Sequence, residues 1–206
     1  MRSNSVGTVC KRILDLAGAS IGLTVFGPVM AAVALAIWLT MGRPILFRQV
    51  RPGQHERPFT LFKFRTMLEA PSSSVDPSTD AARLTRIGII LRRFSLDEFP
   101  QLWNVLKGEM SLVGPRPLLT EYLTLYTVEQ ARRHRMKPGI TGLAQVKGRN
   151  AISWEEKFQW DIWYVDHWSF WLDCWILLAT VDKVIRREGI SQQGQATMEK
   201  FGADRR

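Results

Sequence analysis

The feature that most constrains this chain is an uncharged run of 27 residues near the N-terminus, residues 16–42. As one α-helix the run would be about 40 Å long, enough to cross the hydrocarbon core of a bilayer, which is about 30 Å thick. Gly27-Pro28 divides it, and proline removes a backbone donor and clashes with the preceding helical turn. Each half would be only about 17–20 Å long, so neither half can cross a membrane alone.

Basic residues flank the run on both sides, and positive flanks favour the cytoplasmic side of a membrane. They are Arg2, Lys11 and Arg12 before it and Arg43, Arg48, Arg51 and Arg57 after it. We therefore expect residues 1–43 to form a re-entrant membrane segment, a helix-break-helix hairpin that bends at Gly27-Pro28 and leaves by the face it entered. Carbonyls freed at the break need donors, for which Thr24 and Ser20 are candidates.

Two other interpretations of this segment stay open. The first is a straight or kinked transmembrane span, which its length allows. The second is a cleaved signal peptide, which is disfavoured because the apolar run is longer than the apolar region of such peptides.

The sequence after Arg43 is typical of a single globular domain, residues 44–206, without repeats. Alternating apolar and polar residues predict strands at 44–50 and 58–64, with a turn between them. Helical spacing of apolar residues predicts helices at 81–93, 118–135, 154–167 and 170–187, and a breaker-rich stretch predicts a loop at 71–80. We expect a helix-rich α+β fold with a few short strands.

The charge of the chain predicts an anionic partner. It carries 28 Lys and Arg against 19 Asp and Glu, a net charge of +9, which suits nucleic acid, phospholipid headgroups or phosphate-bearing substrates. The nucleotide fingerprints G-x-G-x-x-G and G-x-x-x-x-G-K-[ST] are absent, as are zinc-ligand spacing and G-x-S-x-G. The two cysteines give no disulfide framework and indicate a reducing compartment.

Two adjacent carboxylates, Asp97 and Glu98, lie in a stretch that begins with an Arg-Arg pair. One interpretation is structural, because Ser95-x-x-Glu98 matches a capping box for a helix that ends at Gly108. The other is chemical, because adjacent carboxylates near guanidinium groups can bring a divalent cation and a phosphate together. A carboxylate can also be a covalent nucleophile toward a phosphoryl group. The spacing alone favours neither.

Arg116 is held between two prolines in the segment Gly114-Pro115-Arg116-Pro117. The prolines restrict the backbone, so the guanidinium loses little freedom on binding and suits a phosphate. The plainer interpretation is a turn between helices. Residues 137–146 contain two glycines, which let a backbone approach a ligand closely. Together these segments favour the chemical interpretation of the carboxylate pair.

Four motifs follow one another along the chain. They are Lys63-Phe64-Arg65-Thr66-Met67, Ser95-Leu96-Asp97-Glu98-Phe99-Pro100-Gln101, Gly114-Pro115-Arg116-Pro117 and Lys137-Pro138-Gly139-Ile140-Thr141-Gly142. In this combination the chain resembles the bacterial sugar transferases, the monotopic phosphoglycosyl transferases that initiate glycoconjugate assembly. The resemblance extends from Lys11-Arg12-x-x-Asp15 to Gln195-Ala196-Thr197. The short length resembles the minimal subfamily, typified by the enzyme that starts bacterial N-linked glycan assembly.

The resemblance implies an enzyme that moves sugar-1-phosphate from a UDP-sugar to polyprenyl (undecaprenyl) phosphate and releases UMP. It implies that Asp97 attacks the β-phosphorus and carries the phospho-sugar covalently, and that Mg²⁺ binds at the diphosphate with Asp97 and Glu98 as candidate ligands. By their places in the motifs, the residues expected to line the phosphates and the nucleotide are Lys63, Arg92, Arg116, Arg149 and Asp161. Asp161 could equally form a structural pair or a cap.

We expect this enzyme on the cytoplasmic face of the bacterial inner membrane. Its partners there would be membrane lipid and downstream glycosyltransferases, not nucleic acid, and a homodimer is left open. One departure from the minimal subfamily is that Ser-Pro is common at the membrane break, where this chain has Gly27-Pro28. The alternative function is a membrane-tethered, non-catalytic basic protein that binds nucleic acid or anionic lipid.

Six of the eight tryptophans lie between Trp154 and Trp175. Trp168, Trp171 and Trp175 follow helical spacing, which is typical either of a bulky core or of a helix that lies at a membrane interface. Both interpretations stay open at this point.

Overall fold

The computed structural model describes residues 5–68, 83–148, 151–186 and 201–202. Its elements in chain order are α1 (Ser5–Met41), β1 (Leu46–Pro52), β2 (Pro58–Phe64), α2 (Arg86–Arg93), α3 (Gln101–Lys107), β3 (Ser111–Val113), α4 (Val128–Ala131), β4 (Gly139–Thr141), α5 (Leu143–Lys147), α6 (Trp154–His167) and α7 (Phe170–Arg186). Short 3₁₀ turns lie at Gln54–Glu56, Leu96–Glu98, Thr120–Leu125 and Arg132–Arg135. The predicted helix-rich α+β class is confirmed, and the predicted loop at 71–80 lies outside the described residues.

α1 is a single helix of 37 residues, about 55 Å long, with Gly27 and Pro28 in its interior. The predicted division into two helices at these residues is therefore not seen. Pro28 removes the helical hydrogen bond to the carbonyl of Thr24. The Thr24 hydroxyl donates to the carbonyl of Ser20 at 2.9 Å, so it does not serve the carbonyl that loses its donor. By length and composition Val6–Met41 could cross a membrane, and re-entry stays a prediction.

Three polar side chains attach the N-terminal part of α1 to the globular domain. Lys11 donates to the buried carboxylate of Asp173 in α7 at 2.7 Å. Arg12 donates to two carbonyls at the end of α3, at 2.8 and 2.9 Å. Asp15 accepts from the hydroxyl of Ser111 at the start of β3, at 2.9 Å. The Lys11-Arg12-x-x-Asp15 motif therefore docks the helix onto three elements.

The C-terminal end of α1 also contacts the domain. Ile37 is fully buried and packs with Phe64 of β2 and Leu91 of α2. Arg65 donates to the carbonyl of Gly42 just after the helix, at 2.8 Å. Both ends of α1 thus touch one globular domain, and the exposed apolar residues along its length include Val6, Val9, Ile13, Ile21, Val25, Leu35 and Leu39.

The two sheets have two strands each. β1 and β2 form an antiparallel hairpin, with Leu46 opposite Phe64 and Pro52 opposite Pro58. The predicted strand at 58–64 is confirmed, and the one predicted at 44–50 begins and ends two residues later. β3 and β4 are parallel, which brings the Gly114–Pro117 motif beside the motif that begins at Lys137.

The predicted continuous helix at 118–135 is wrong. The 3₁₀ turn Thr120–Leu125, the short helix α4 and the 3₁₀ turn Arg132–Arg135 take its place. Tyr126 and Thr127 have extended backbone, and Thr127 forms a capping box with Gln130. A cap inside an apolar pattern starts a new helix, and apolar spacing alone does not reveal it.

The remaining helices follow the predictions more closely. α6 has the predicted bounds 154–167, and α7 matches the prediction up to Arg186. α2 is shorter than predicted, because Thr85 caps it by accepting from the backbone N–H of Gly88. The tryptophans in and before α7 have different environments. Trp171 in α7 is 77% exposed, whereas the indole N–H of Trp168, just before the helix, donates to Asp173 at 3.0 Å. The cluster thus combines core and surface positions.

Candidate active site

Asp97 lies in the 3₁₀ turn Leu96–Glu98 between α2 and α3 and is only 8% exposed. Ser95, before the turn, has a left-handed backbone with φ of 55° and makes no capping hydrogen bond through its side chain. The predicted capping box is therefore wrong, and α3 begins only at Gln101. The predicted helix end at Gly108 is confirmed. The interpretation of Ser95 and Glu98 as a structural capping box is therefore not supported.

The Asp97 carboxylate has an unusual electrostatic environment. Burial and the charge of Glu98 raise the pKa of Asp97 to about 6, and the positive charges of Lys63, Arg116 and Arg92 limit the rise. No group in the described part of the chain donates a hydrogen bond to this carboxylate. A carboxylate with a raised pKa and no hydrogen-bond donor is well suited to act as a nucleophile.

Glu98 has the opposite environment. Its Oε1 accepts from Nζ of Lys63 and from Nη2 of Arg116, both at 2.7 Å. Burial opposes ionisation of this carboxyl, but the charges of Arg116 and Lys63 outweigh it and hold the pKa of Glu98 well below its usual range. The two neighbouring carboxylates are therefore differentiated, as in sites where adjacent acids have separate roles.

The Lys63–Met67 motif makes three separate contacts from the end of β2. Lys63 holds Glu98, and Arg65 holds the C-terminal end of α1. Thr66 accepts through its hydroxyl from Nε of Arg92 at 3.1 Å. These contacts place the predicted residues Lys63 and Arg92 where their charges reach Asp97.

Arg116 projects from the loop after β3, with 45% of its side chain exposed. The pairing of β3 with β4 determines the position of this loop, because the two backbones are in contact at Gly114 and Gly139. A Cβ at position 139 would lie 2.1 Å from the backbone nitrogen of Gly114, so a side chain there would force the strands apart. The carbonyl of Arg116 accepts from Nη2 of Arg133 at 2.6 Å.

Arg133 is a residue of the site that the sequence analysis missed. It is 2% exposed and donates to Asp161 through Nε at 3.0 Å and Nη2 at 2.7 Å. Asp161 therefore forms a structural pair, one of its two predicted roles, and also lines the groove described below. In the run of basic residues 132–135 no spacing distinguishes Arg133 from its neighbours, so no sequence signal could have identified it.

One groove of about 3150 Å³ connects α1 to the carboxylate pair and continues to α6. Its walls include Phe26 of α1, Asp97, Arg116 and, at the far end, Trp154 and Lys157. This volume exceeds the roughly 300–1,000 Å³ of a common small-molecule pocket. The groove therefore has room for more than one small ligand. Arg149, predicted to line the phosphates and the nucleotide, lies outside the described residues.

A magnesium ion at this site would have few protein ligands. The described residues contain no group of three or more His, Cys, Asp and Glu side chains that could hold a metal. Mg²⁺ commonly takes one or two carboxylates and completes its shell with substrate phosphates and water. That requirement fits Asp97, which accepts no hydrogen bond from the described residues. It also fits the second carboxylate oxygen of Glu98, since both ion pairs of Glu98 use Oε1.

Comparison with known proteins agrees with this architecture. The sequence profile described as bacterial sugar transferase matches residues 6–187. The uncharacterized sugar transferase EpsL of Bacillus subtilis is 53% identical over 193 residues, which cover 94% of this chain and 96% of EpsL.

Two further relatives carry the name UDP-glucose:undecaprenyl-phosphate glucose-1-phosphate transferase. The protein of Caulobacter vibrioides is 41% identical over 185 residues, covering 85% of this chain and 69% of its own length. The protein of Klebsiella pneumoniae is 38% identical over 190 residues, covering 87% of this chain. The chain spans only 41% of the length of the Klebsiella protein.

The fold and the site define a helix-rich α+β protein in which an acidic pair lies in a cationic groove beside a long apolar helix. The matched segment contains all four motifs and every described residue of the site. The chain belongs to the bacterial sugar transferase family.

Proposed function

We propose that this protein transfers sugar-1-phosphate from a UDP-sugar to undecaprenyl phosphate and releases UMP. The observation that carries the proposal is Asp97, a buried carboxylate to which no described residue donates a hydrogen bond, beside a Glu98 that holds two cations. The names of the Caulobacter and Klebsiella relatives support this class of donor and acceptor.

The first step is an attack of an Asp97 carboxylate oxygen on the β-phosphorus of the donor. The new bond is an acyl phosphate, and the bond that breaks joins the β-phosphorus to the oxygen bridging it to the α-phosphorus. The electron pair of that bond leaves on UMP. Lys63, Arg92 and Arg116 surround Asp97 and would neutralise the charge that develops on the phosphoryl oxygens.

The second step regenerates the enzyme. A phosphate oxygen of undecaprenyl phosphate attacks the phosphorus of the aspartyl-phosphosugar, and the electron pair of the acyl phosphate bond returns to the Asp97 carboxylate. The product is an undecaprenyl diphosphate sugar. The groove has room for a lipid acceptor between α1 and the site, since its walls include both Phe26 and Asp97. Downstream glycosyltransferases would use this product.

We include Mg²⁺ in the proposal. Asp97 and Glu98 would hold it together with the donor diphosphate, and its charge would stabilise the departing UMP. The position of Glu98 is fixed independently by Lys63 and Arg116.

The proposed location is the cytoplasmic face of the bacterial inner membrane, with α1 entering and leaving by that face. A helix that crossed the bilayer would put its two ends on opposite sides. Lys11 near one end contacts Asp173, and Ile37 near the other contacts Phe64, so both ends touch one domain. The exposed apolar residues of α1 and α7 support contact of this face with lipid.

The test is UMP release by the full chain in detergent micelles or nanodiscs, with a panel of UDP-sugars, undecaprenyl phosphate and Mg²⁺. We expect Asp97→Asn to lower the rate by about 10³-fold or more, because the nucleophile is lost. Asp166→Asn is the matched control, since Asp166 pairs with Arg132 away from the groove. A wild-type protein that releases no UMP with any donor would overturn the proposal.

Omitting the acceptor separates transfer from hydrolysis. The covalent mechanism predicts a burst of about one UMP per protein molecule and then a stop, because the phosphosugar stays on Asp97. Mass spectrometry of that sample should find the phosphosugar on a peptide that contains Asp97. Continued UMP release without undecaprenyl phosphate would instead indicate a nucleotide-sugar hydrolase.

A further inference from the structure

Phe201 is a buried aromatic residue that none of the proposed steps uses. It is one of the two residues that the structure describes after α7, and only 7% of it is exposed. It also lies beyond residues 6–187, the segment that the family profile matches. Its role therefore has to be inferred from the contacts that its ring makes in this chain.

Four aromatic side chains contact Phe201, and we call these five residues the Phe201 cluster. The ring centroids of Phe158 and Tyr122 lie 4.9 and 5.6 Å from that of Phe201, in edge-to-face geometry. Those of Trp154 and Tyr126 lie 5.5 and 6.0 Å away. All four distances are within the range of roughly 4.5–7 Å that favourable aromatic pairs prefer. The backbone N–H of Phe201 also donates to the Tyr122 hydroxyl at 3.2 Å.

The cluster joins two elements that are distant in sequence. Tyr122 lies in the 3₁₀ turn Thr120–Leu125, and Tyr126 directly follows that turn. Trp154 and Phe158 belong to the first turns of α6. Phe201 contacts rings from both elements and fills the space between them. Its removal would leave a cavity that the neighbouring side chains fill only in part, so both elements would lose fixed positions.

Part of the cluster belongs to the wall of the groove. Tyr122 and Trp154 line the groove, and their ring centroids lie 5.7 Å apart. Phe201 is not part of that wall, although its ring contacts both residues. It can therefore support the wall without touching a ligand.

A second set of contacts connects the cluster to Arg116. The guanidinium carbon of Arg133 lies 5.8 Å from the ring centroid of Phe158 and 6.0 Å from that of Tyr126. Aromatic faces attract a cation at such distances. Nη2 of Arg133 in turn donates to the carbonyl of Arg116 at 2.6 Å. A shift of Phe158 or Tyr126 would therefore move the side chain that supports the Arg116 loop.

We infer that Phe201 is a positioning residue for the UDP-sugar. Through the rings of its cluster it fixes the groove wall at Tyr122 and Trp154. It also fixes Arg133, which supports the Arg116 loop. The inference rests on the proposed function and adds to it a residue that acts without touching the substrate. Asp97 lies in a different turn, Leu96–Glu98, so loss of the Phe201 ring should weaken donor binding more than it slows the chemical step.

The first experiment measures the steady-state kinetics of UMP release by the full chain in detergent micelles. In Phe201→Ala the Michaelis constant for the UDP-sugar should rise by about fivefold or more, with kcat changed by less than about twofold. Phe201→Leu fills part of the cavity, so a smaller rise of about twofold is expected. If the melting temperature shows that Phe201→Ala does not fold, Phe201→Leu provides the test.

The matched control is Met110→Ala, which creates a cavity in another part of the core. Met110 is fully buried, packs with Phe59 and Val105, and does not line the groove. Both alanine variants should lower the melting temperature, because both lose buried apolar contacts. Met110→Ala should nevertheless leave the Michaelis constant unchanged. This comparison separates positioning from a general loss of packing.

Hydrogen exchange of the backbone amides gives a readout that needs no activity. In folded Phe201→Ala, or in Phe201→Leu, peptides that cover residues 118–136 should exchange faster than in the wild type. Tyr122, Tyr126 and Arg133 all lie in that segment. Peptides that cover residues 96–107, which contain the carboxylate pair and α3, should exchange as in the wild type. Met110→Ala should not accelerate exchange in residues 118–136.

The outcomes separate this inference from the proposed function. An unchanged Michaelis constant in the folded Phe201 variants overturns the inference, and loss of transfer in Asp97→Asn would still support the proposed function. The same holds if exchange in residues 118–136 is unchanged, or if Met110→Ala raises the Michaelis constant equally. Failure of the wild type to release UMP from any UDP-sugar overturns the proposed function and, with it, the role of Phe201 in donor binding.

Discussion

Asp97 and Glu98 are neighbours in sequence, yet their carboxylates have opposite properties. Glu98 accepts from two cations and stays ionised, whereas Asp97 is buried, accepts from no described residue and has a pKa of about 6. The left-handed Ser95 and the short 3₁₀ turn put the two side chains into these different surroundings. Glu98 therefore holds Lys63 and Arg116, and Asp97 stays available for the proposed nucleophilic role.

The raised pKa of Asp97 predicts that its charge destabilises the metal-free protein. A carboxyl whose pKa rises on folding binds its proton more tightly in the folded state, so stability is lost as the pH rises from about 4 to about 6. Asp97→Asn should therefore have a higher free energy of unfolding than the wild type at pH 8, by up to about 3 kcal/mol. The difference should vanish near pH 4, where the wild-type side chain is also neutral.

Urea unfolding in EDTA at several pH values measures this difference. Asp166→Asn is again the control, because it removes a carboxylate that lies away from the groove. Equal stability of Asp97→Asn and the wild type at pH 8 would contradict the raised pKa.

Buried Arg133 supports the Arg116 loop, because it donates a hydrogen bond to the backbone carbonyl of Arg116. Its partner Asp161 is 3% exposed, so Asp161→Asn would leave the Arg133 charge buried without a counter-charge. We expect a loss of about 3–5 kcal/mol in the free energy of unfolding. In the fraction that stays folded, the Michaelis constant for the UDP-sugar should rise, since the Arg116 loop loses its support.

Arg132, the residue before Arg133, pairs with Asp166 at the surface, so the Asp166 variant serves as the control for the Asp161 variant. Asp166→Asn should leave both stability and the Michaelis constant unchanged. A drop in stability for Asp161→Asn without any change in that constant would show that Arg133 does not position Arg116.

At the scale of elements, the parallel pair β3–β4 joins two motifs that are separated in sequence. Gly114 and Gly139 permit this contact, because a Cβ at position 139 would fall 2.1 Å from the Gly114 nitrogen. The pair also sets the loop that carries Arg116, and β3 receives Asp15 of α1 through Ser111. Sheet, loop and helix are therefore fixed together.

Gly139→Ala should lower the free energy of unfolding by more than about 2 kcal/mol, because the strands must separate. Gly27→Ala is a sharp comparison, since a Cβ at Gly27 would have nothing within 4 Å and lies inside a helix. There we expect a gain of about 0.5–1 kcal/mol. Denaturant titration of both variants measures the effects, and a tolerated Gly139→Ala would mean that β3 and β4 do not touch in this way.

At the scale of the whole molecule, the two ends of α1 are attached to one domain. Lys11 and Arg12 hold the first end, and Ile37 with Arg65 holds the second. This attachment supports the proposal that both ends of α1 lie on one face of a membrane. In that proposal the exposed apolar residues of α1 and α7 would contact lipid.

This arrangement predicts that both ends of the membrane segment face the cytoplasm. Single cysteines at positions 4 and 50, placed after replacement of Cys10 and Cys174, should be protected from a membrane-impermeant thiol reagent in intact cells. Both should react after permeabilisation, which is the internal control. Labelling of position 4 alone in intact cells would indicate a helix that crosses the membrane.

Much of this protein could be read from local features of the chain. The hairpin strand at 58–64 and the helix at 154–167 have the predicted bounds, because alternation and helical spacing act over a few residues. The segment 118–135 could not be predicted in this way. There the apolar pattern predicts one continuous helix, whereas the capping box at Thr127 starts a new one. The sequence does not show which of the two forms.

Local sequence patterns predicted which groups are available: an apolar helix near the N-terminus, an acidic pair, and an arginine held between prolines. These follow from hydrophobicity and backbone restrictions, which are properties of neighbouring residues. The folded arrangement was needed to show that Glu98 holds Lys63 and Arg116, that Asp161 holds Arg133, and that both ends of α1 contact one domain. Charges and burial act through space between residues far apart in the chain, so no local pattern contains them.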